Sequence, residues 1–291
     1  MKVIEMKKNR ILAIVVLYNP DISEVLANIN RYIVEVDTLI IWLNSVINIE
    51  IKRQILDELK SYDVIFQGDG TNRGLSIALN YAVSFAKKNM YKYLMTMDQD
   101  SYWINIQDYF MQIFETELNE KDIGIFGPYV ITDVSERNDT ICNYNQYPDH
   151  VITSGTVYLT EIFDVLSGFN EEYFIDAIDE EICLRASKFG FKTKIMNKGK
   201  LLQKFGNPTK CKFLYKYIYT PNYSAFRYFY IVRNHIWLLH SDLLNKKQKR
   251  KVLRWYIINP FVKVLLFEDN KVKKMQSIFC AIYEGVIKFN S

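Results

Sequence analysis

Apolar residues along the first hundred positions fall alternately into unbroken runs and into stripes of helical spacing. Ile11 to Leu17 (ILAIVVL) is an unbroken run, as expected of a parallel strand covered on both faces. Tyr18-Asn19-Pro20-Asp21 ends it, and Ile22, Val25, Leu26, Ile29, Tyr32 and Ile33 then recur at the spacing of one helix face. Thr38 to Leu43 predicts a second buried strand, stopped by Asn44-Ser45. A short helix follows through Ile51, Ile55, Leu56 and Leu59, then a third strand from Asp63 to Phe66. The loop Gly68-Asp-Gly-Thr-Asn-Arg-Gly74 has neither the Gly-Lys-Ser/Thr of a triphosphate loop nor G-x-G-x-x-G spacing. Leu75, Ala78, Leu79, Ala82, Val83 and Ala86 form a clean helical stripe, and the stretch Tyr91 to Asp100 predicts a fourth strand that carries Asp98 and Asp100. Strands alternating with helices imply a mostly parallel α/β sheet with helices on both faces.

The second half is less regular. Tyr109, Phe110, Ile113, Phe114 and Leu118 predict a helix, and Ile123 to Phe126 a strand broken by Gly127-Pro128. Residues 133–149 are polar and without period, so they read as a long loop over the site, facing an acceptor. Val151 to Leu159 is strand-like with Gly155 in its middle, a place where a ligand or another backbone comes close. Glu161 to Leu166 predicts a short helix ended by Gly168. In Asn170 to Arg185 (NEEYFIDAIDEEICLR) six acids precede or open a helix, with Asp179 as its N-cap and Gly190 as its stop. A strand from Thr193 to Met196, a basic stretch to Lys204 and an aromatic-dense segment from Tyr215 to Trp237 follow.

Composition narrows the class. With 49% hydrophobic and 24% charged residues in 291, the chain is that of a folded globular protein. Its four cysteines form no C-x-x-C pair, which fits a reduced, cytoplasmic protein without a disulfide framework or zinc site. His235 and His240 lie on different sides of a helix, so no histidine-based metal site is expected. No run approaches the ~20 apolar residues of a membrane span, and no signal peptide is expected. Charge is uneven: residues 241–291 hold 11 Lys/Arg against 4 Asp/Glu, while the first 240 hold 26 against 29. A basic, helical extension at 241–291 after a domain at 1–240 suits an anionic membrane surface. No nucleic-acid-binding pattern appears.

The chemistry gathers where strands end, since α/β sheets bind ligands at the carboxyl ends of their strands. Tyr18, Asn19, Asn44, Asn72, Arg73 and Asp98 are therefore the candidate nucleotide-binding residues. Side chains alternate along a strand, so Asp98 and Asp100 are expected to point one way and Gln99 the other. Two converging carboxylates suit a hard divalent cation, Mg²⁺ or Mn²⁺, that also binds phosphate oxygens. A plain polar turn is the competing reading of this short motif.

Taken in order, several segments resemble the inverting family 2 glycosyltransferases, in their bacterial rhamnosyltransferase-like branch. The likeness covers about residues 9–240 and rests on Val15 to Pro20, Asn72 to Asn80, Met97-Asp-Gln-Asp-Ser101 and Gly124 to Pro128. It continues in Thr153-Ser-Gly155, Gly168 to Glu171, Phe174 to Arg185 and Tyr230-Ile-Val-Arg-Asn234. The resemblance implies a GT-A fold and a nucleoside-diphosphate sugar donor, dTDP-rhamnose favoured. It implies a lipid-linked saccharide acceptor, in bacterial cell-surface polysaccharide synthesis on the inner face of the cell membrane. Asp98 and Asp100 would bind the diphosphate through Mg²⁺ or Mn²⁺, and Asp179 would be the base, with Asp176 and Glu180 as alternatives. Two positions depart from the pattern. Leu43-Asn44 stands where an acid often lies near the nucleobase, and Gln203 where a histidine commonly completes the metal shell. A non-catalytic sugar-nucleotide-binding subunit is the alternative reading, and a nucleotidyltransferase a weaker one.

Overall fold

The structure, a computed structural model, describes residues 9–132, 145–203, 209–213 and 216–287. The chain forms two compact units, residues 1–172 with 182–204 and residues 173–181 with 205–291.

The first unit is built on eight strands. They are β1 (Ile11–Leu17), β2 (Thr38–Leu43), β3 (Val64–Gln67), β4 (Tyr93–Asp98), β5 (Ser101–Trp103), β6 (Ile123–Thr132), β7 (Thr156–Leu159) and β8 (Lys192–Gln203). Their order across the sheet is β3-β2-β1-β4-β7-β6-β8-β5. The pairs of β1 with β2 and β4, of β2 with β3 and of β6 with β8 are parallel. β7 runs antiparallel to both its neighbours, and β5 antiparallel to β8. Leu12, Ala13 and Ile14 are fully buried, as are Leu39, Ile40 and Ile41, so both faces of the sheet centre are covered.

Helices α1 (Ile22–Ile29), α2 (Ile49–Glu58), α3 (Leu75–Lys88), α4 (Ile106–Asn119) and α5 (Phe163–Leu166) join these strands. α1 and α2 start where Asp21 and Asn48 accept hydrogen bonds from the backbone N–H of Glu24 and Ile51. The predicted stripe of α3 is its buried face, through Ala78, Leu79, Ala82, Val83 and Ala86.

α6 (Ile178–Lys188) opens within the second unit and closes within the first. Its end is as predicted: Gly190 sits at φ 89°, while Gly190 N–H and Phe191 N–H reach Ser187 O and Ala186 O. Its start is not. The helix begins at Ile178, so Asp179 lies inside the first turn instead of capping it.

Three other expectations change. β7 starts at Thr156, because Gly155 turns the chain at φ 75° and gives its N–H to Thr96 O. A Cβ there would stand 2.9 Å from Trp103 Cζ2, so the chain's own side chains pack closely against this glycine. β8 runs through the basic stretch to Gln203, with Thr193, Lys194, Met196 and Leu201 buried and Lys192, Lys198 and Lys200 exposed. Of the loop expected at 133–149, residues 133–144 lie outside the described residues.

The second unit contains a hairpin, β9 (Thr209–Phe213) with β10 (Lys216–Thr220), and helices α7 (Ala225–His240), α8 (Lys246–Val252), α9 (Asn259–Phe267) and α10 (Lys271–Ile287). A π-helical turn, Leu253–Ile258, joins α8 to α9. The chain does not divide at residue 240, because Tyr228, Val232 and Ile236 of α7 share one core with Val264, Ile278 and Ala281. Gly285 permits that packing, since a Cβ there would be 2.9 Å from Ile236 Cγ2. Beside this core lies a buried ion pair, Lys274 Nζ to Glu268 Oε2 at 2.8 Å. Among the described residues no helix is long and apolar enough to cross a membrane.

Candidate active site

In the first unit the polar groups collect at the carboxyl ends of β1, β2 and β4, and two bonded corners share β1. In one corner, Asn44 at the end of β2 accepts from Arg73 N–H at 3.0 Å and donates from Nδ2 to Asn72 Oδ1 at 2.9 Å. Asn72 Oδ1 also accepts from Gly74 N–H at 3.2 Å, which shapes the turn into α3. Gly68 and Gly70 let this loop lie on β2: a Cβ on Gly68 would stand 2.5 Å from Leu43 O, and both residues have positive φ. Arg73 forms an exposed ion pair with Asp69 at 2.7 Å, and that hydrogen bond, with one from Thr71 N–H, pulls the Asp69 carboxyl down to about 2. Asn19, at φ 46°, gives its N–H to Ser45 Oγ at 2.7 Å, closing the corner against β1.

The other corner carries the acids. β4 ends at Asp98, and Gln99-Asp100 is the turn into β5, so Asp98 and Asp100 are not alternate positions of one strand. Gln99 grips the end of β1. Its Oε1 accepts from Tyr18 N–H at 2.8 Å and its Nε2 donates to Tyr18 O at 3.1 Å, while Asn28 Nδ2 holds Gln99 O at 2.9 Å. This clamp was not legible in the strand pattern, since it depends on the chain leaving the sheet after Asp98. Asp98 N–H is held by Ser154 Oγ at 3.1 Å. Asp98 is part-buried, Asp100 exposed, and the Tyr18 ring half-exposed at 49%.

Gln203, the last residue of β8, pairs in register with Ser101 and brings its amide to the same place. Its Nε2 lies 3.3 Å from Asp98 Oδ2, and its Oε1 is buried with no hydrogen-bond partner among the described residues. A buried amide oxygen without a partner is costly unless something electropositive meets it. The Asp98 carboxylate and the Gln203 amide oxygen are hard donors, which fits Mg²⁺ or Mn²⁺ and not zinc, with Asp100 two residues on in the turn. Among the described residues no group of three or more His, Cys, Asp or Glu could hold a metal by itself. At the opposite end of β4, a cleft lined by Lys87, Lys92, Glu161 and Asp164 has Lys87 paired with Asp164 at 2.7 Å and Lys92 with Glu117 at 2.6 Å.

The second unit holds Asp176, Asp179 and Glu180. Asp176 and Ala177 sit consecutively at φ 64° and 61°, a left-handed backbone rare for residues with a side chain. Asn234 fixes it, donating from Nδ2 to both Ile175 O and Asp176 O at 2.8 Å. Asn234 Oδ1 accepts from Arg233 Nε and a terminal nitrogen at 3.1 and 3.0 Å, so the amide can face only one way. Arg233 is in turn stacked on Trp237 and Tyr230, 4.1 and 4.6 Å from their ring centres. Arg227 binds Asp176 Oδ1 at 3.2 Å.

Asp179 Oδ1 accepts from Glu180 N–H at 3.0 Å, at the positive end of α6. Glu180 faces buried His235, with Nε2 3.3 Å from Oε2. His235 Nδ1 lies 2.6 Å from Ile231 O and donates to it, which leaves Nε2 as the nitrogen that faces the Glu180 carboxylate. The His235 ring stacks on Tyr256 at 3.6 Å. Burial, then the nearby Glu180, Asp179 and Asp176 carboxylates, push that phenol up to about 12. Arg233 and Asn234, which hold this turn, entered the sequence reading only within the segment Tyr230 to Asn234, and His235 only as one of two histidines on different sides of a helix.

The architecture is that of the GT-A glycosyltransferases. The fold resembles that of a mannosyltransferase from Pyrobaculum calidifontis in complex with GDP-mannose and Mn²⁺, with a TM-score of 0.59 and 12% identity over 96% of this chain and 75% of that one. It also resembles Staphylococcus aureus TarS in complex with UDP-GlcNAc, with a TM-score of 0.58 and 13% identity over 94% and 81%. In sequence the chain is 24% identical, over 299 residues and 96% of both chains, to the dTDP-rhamnosyl transferase RfbF of Shigella flexneri. No family model matches. Fold and whole-length similarity together support a glycosyltransferase.

Proposed function

We propose that this protein transfers rhamnose from dTDP-rhamnose to a hydroxyl of a lipid-linked saccharide, with inversion at the anomeric carbon. The observation that carries the reading is the meeting of Asp98 and Gln203 where β4 and β8 end, in a chain similar throughout to a dTDP-rhamnosyl transferase. Tyr18 offers an exposed ring for the base, and Asn44 acts through the Asn72-Arg73 loop it holds. Asp98, Asp100 and Gln203 would hold Mg²⁺ or Mn²⁺, which when bound supplies Lewis-acid stabilisation of the departing diphosphate. Asp179 takes the proton from the acceptor hydroxyl, its carboxylate kept ionised by the helix N-terminus. Asp176, bound by Arg227, and Glu180, facing His235, are the alternative bases.

The lipid-linked acceptor sets the place of action at the inner face of the cell membrane. The test is release of nucleoside diphosphate from a panel of nucleotide sugars with Mg²⁺ or Mn²⁺. Turnover of dTDP-rhamnose above the other donors, lost in Asp100→Ala and in excess chelator, is the expected result. Full activity in chelator would remove the metal, and no turnover of any donor would favour a sugar-nucleotide-binding subunit.

A further inference from the structure

We propose that Lys246 to Phe267 forms a membrane-inserting face. A stripe of apolar side chains enters the headgroup region of an anionic bilayer, and the basic residues of the same helical run bind lipid phosphates. This deepens the lipid-linked acceptor reading and stands on separate observations.

The run is continuous and firmly started. Asn245 accepts from Lys247 N–H and Gln248 N–H, and Gln248 Oε1 accepts from Asn245 N–H, a complete capping box. The π-helical turn carries it without a break into α9. Val252 and Val264 point inward and are buried. Trp255, Ile258, Val262, Leu265 and Leu266 are 54%, 51%, 39%, 50% and 50% exposed, at the spacing of one helix face. Large apolar side chains left in water along two adjoining helical segments mark a surface that is covered in use.

Charge identifies what covers it. Residues 243–267 contain seven Lys/Arg and no Asp or Glu. A second copy seated face to face would set seven cations against seven, which like-charge repulsion opposes. A nucleic acid would use the cations and leave the five apolar side chains without a partner. An anionic bilayer satisfies both halves, phosphates against Lys and Arg, and the acyl boundary against Trp, Ile, Val and Leu.

Trp255 reports on this directly, because Trp42, Trp103 and Trp237 are buried. The full chain is mixed with phosphatidylcholine vesicles with and without phosphatidylserine, some carrying brominated acyl chains as quenchers. The expected result is a blue shift and bromine quenching of Trp255 on anionic vesicles. Part of that binding should survive about 1 M salt, where charge attraction is screened within ~3 Å. Ile258→Ser with Leu265→Ser should lower partitioning by about tenfold or more while leaving the unfolding midpoint in place, since both side chains face solvent. Binding that vanishes in salt, or bound protein whose Trp255 is neither shifted nor quenched, would overturn the inserting face. Self-association without lipid that buries Trp255 would assign the face to a second copy instead. The vesicles hold neither donor nor acceptor, so a failure here is distinct from a failure of catalysis.

Discussion

Lys274→Met should unfold the second unit far more easily, and the structure sets the size. Glu268 and Lys274 side chains are 0% and 5% exposed and lie 2.8 Å apart. Removing one partner of such a buried pair costs about 3–5 kcal/mol, because the other charge stays behind. Hydroxyl bonds to Glu268 from Thr220 and from Tyr228 survive the change, which argues for about 3 kcal/mol, the lower end. For a unit of this size that is on the order of 15 °C in midpoint.

The cost also has a pH signature. Burial pushes the Glu268 carboxyl up, but hydrogen bonds from Lys274, Thr220 and Tyr228 outweigh it and hold the group below its ordinary value. A depressed carboxyl contributes stability that is fully present above the unfolded value, about 4.3, and is lost as pH falls through the folded one. The penalty of Lys274→Met should therefore be full at neutral pH and shrink in acid. Urea unfolding followed by hydrogen exchange in peptides from α9 and α10 measures it in the correct unit. Lys274→Met with Glu268→Met, which removes both charges, should recover most of the loss. A neutral-pH cost below about 1 kcal/mol, or a double variant no better than the single one, would refute the buried-pair account.

Asp179→Asn should leave donor binding nearly unchanged and lower turnover by roughly 10²–10⁴-fold, as removal of a general base does; if Asp176→Asn or Glu180→Gln abolishes turnover instead, the base is misassigned. Asn234→Asp cannot donate to Ile175 O and Asp176 O, so proteolysis near residues 175–177 should rise and kcat fall, with KM for the donor little changed. Gly68→Ala should destabilise by roughly 1–3 kcal/mol in thermal unfolding and raise the donor KM, since φ 86° and Leu43 O both oppose a Cβ.

The central strands were legible because they are covered on both sides. ILAIVVL and TLIIWL have no polar face to confuse them with a helix stripe. β5, three residues long, and the hairpin of β9 with β10 gave no comparable signal, since Thr209-Lys-Cys-Lys-Phe213 is too short and too polar a run to separate from a loop. β8 hid its buried side under lysines. In the site, the acids announced themselves as a cluster of charge after an apolar run. Gln99, Asn234 and His235 did not, because each acts through a backbone atom or a partner distant in the chain: Tyr18 is 81 residues from Gln99, and Asp176 is 58 from Asn234.

The two corners at the end of β1 are wired separately. Gln99 grips Tyr18 through its amide, whereas Ser45, Asn44 and Asn72 fasten Asn19 and the glycine loop by a different set of bonds. On the proposed reading, substitutions that retune which nucleobase is accepted can accumulate around Asn44 without disturbing the seat of Asp98 and Asp100. Donor preference is then free to drift between lineages while the apparatus that breaks the sugar–phosphate bond stays as it is.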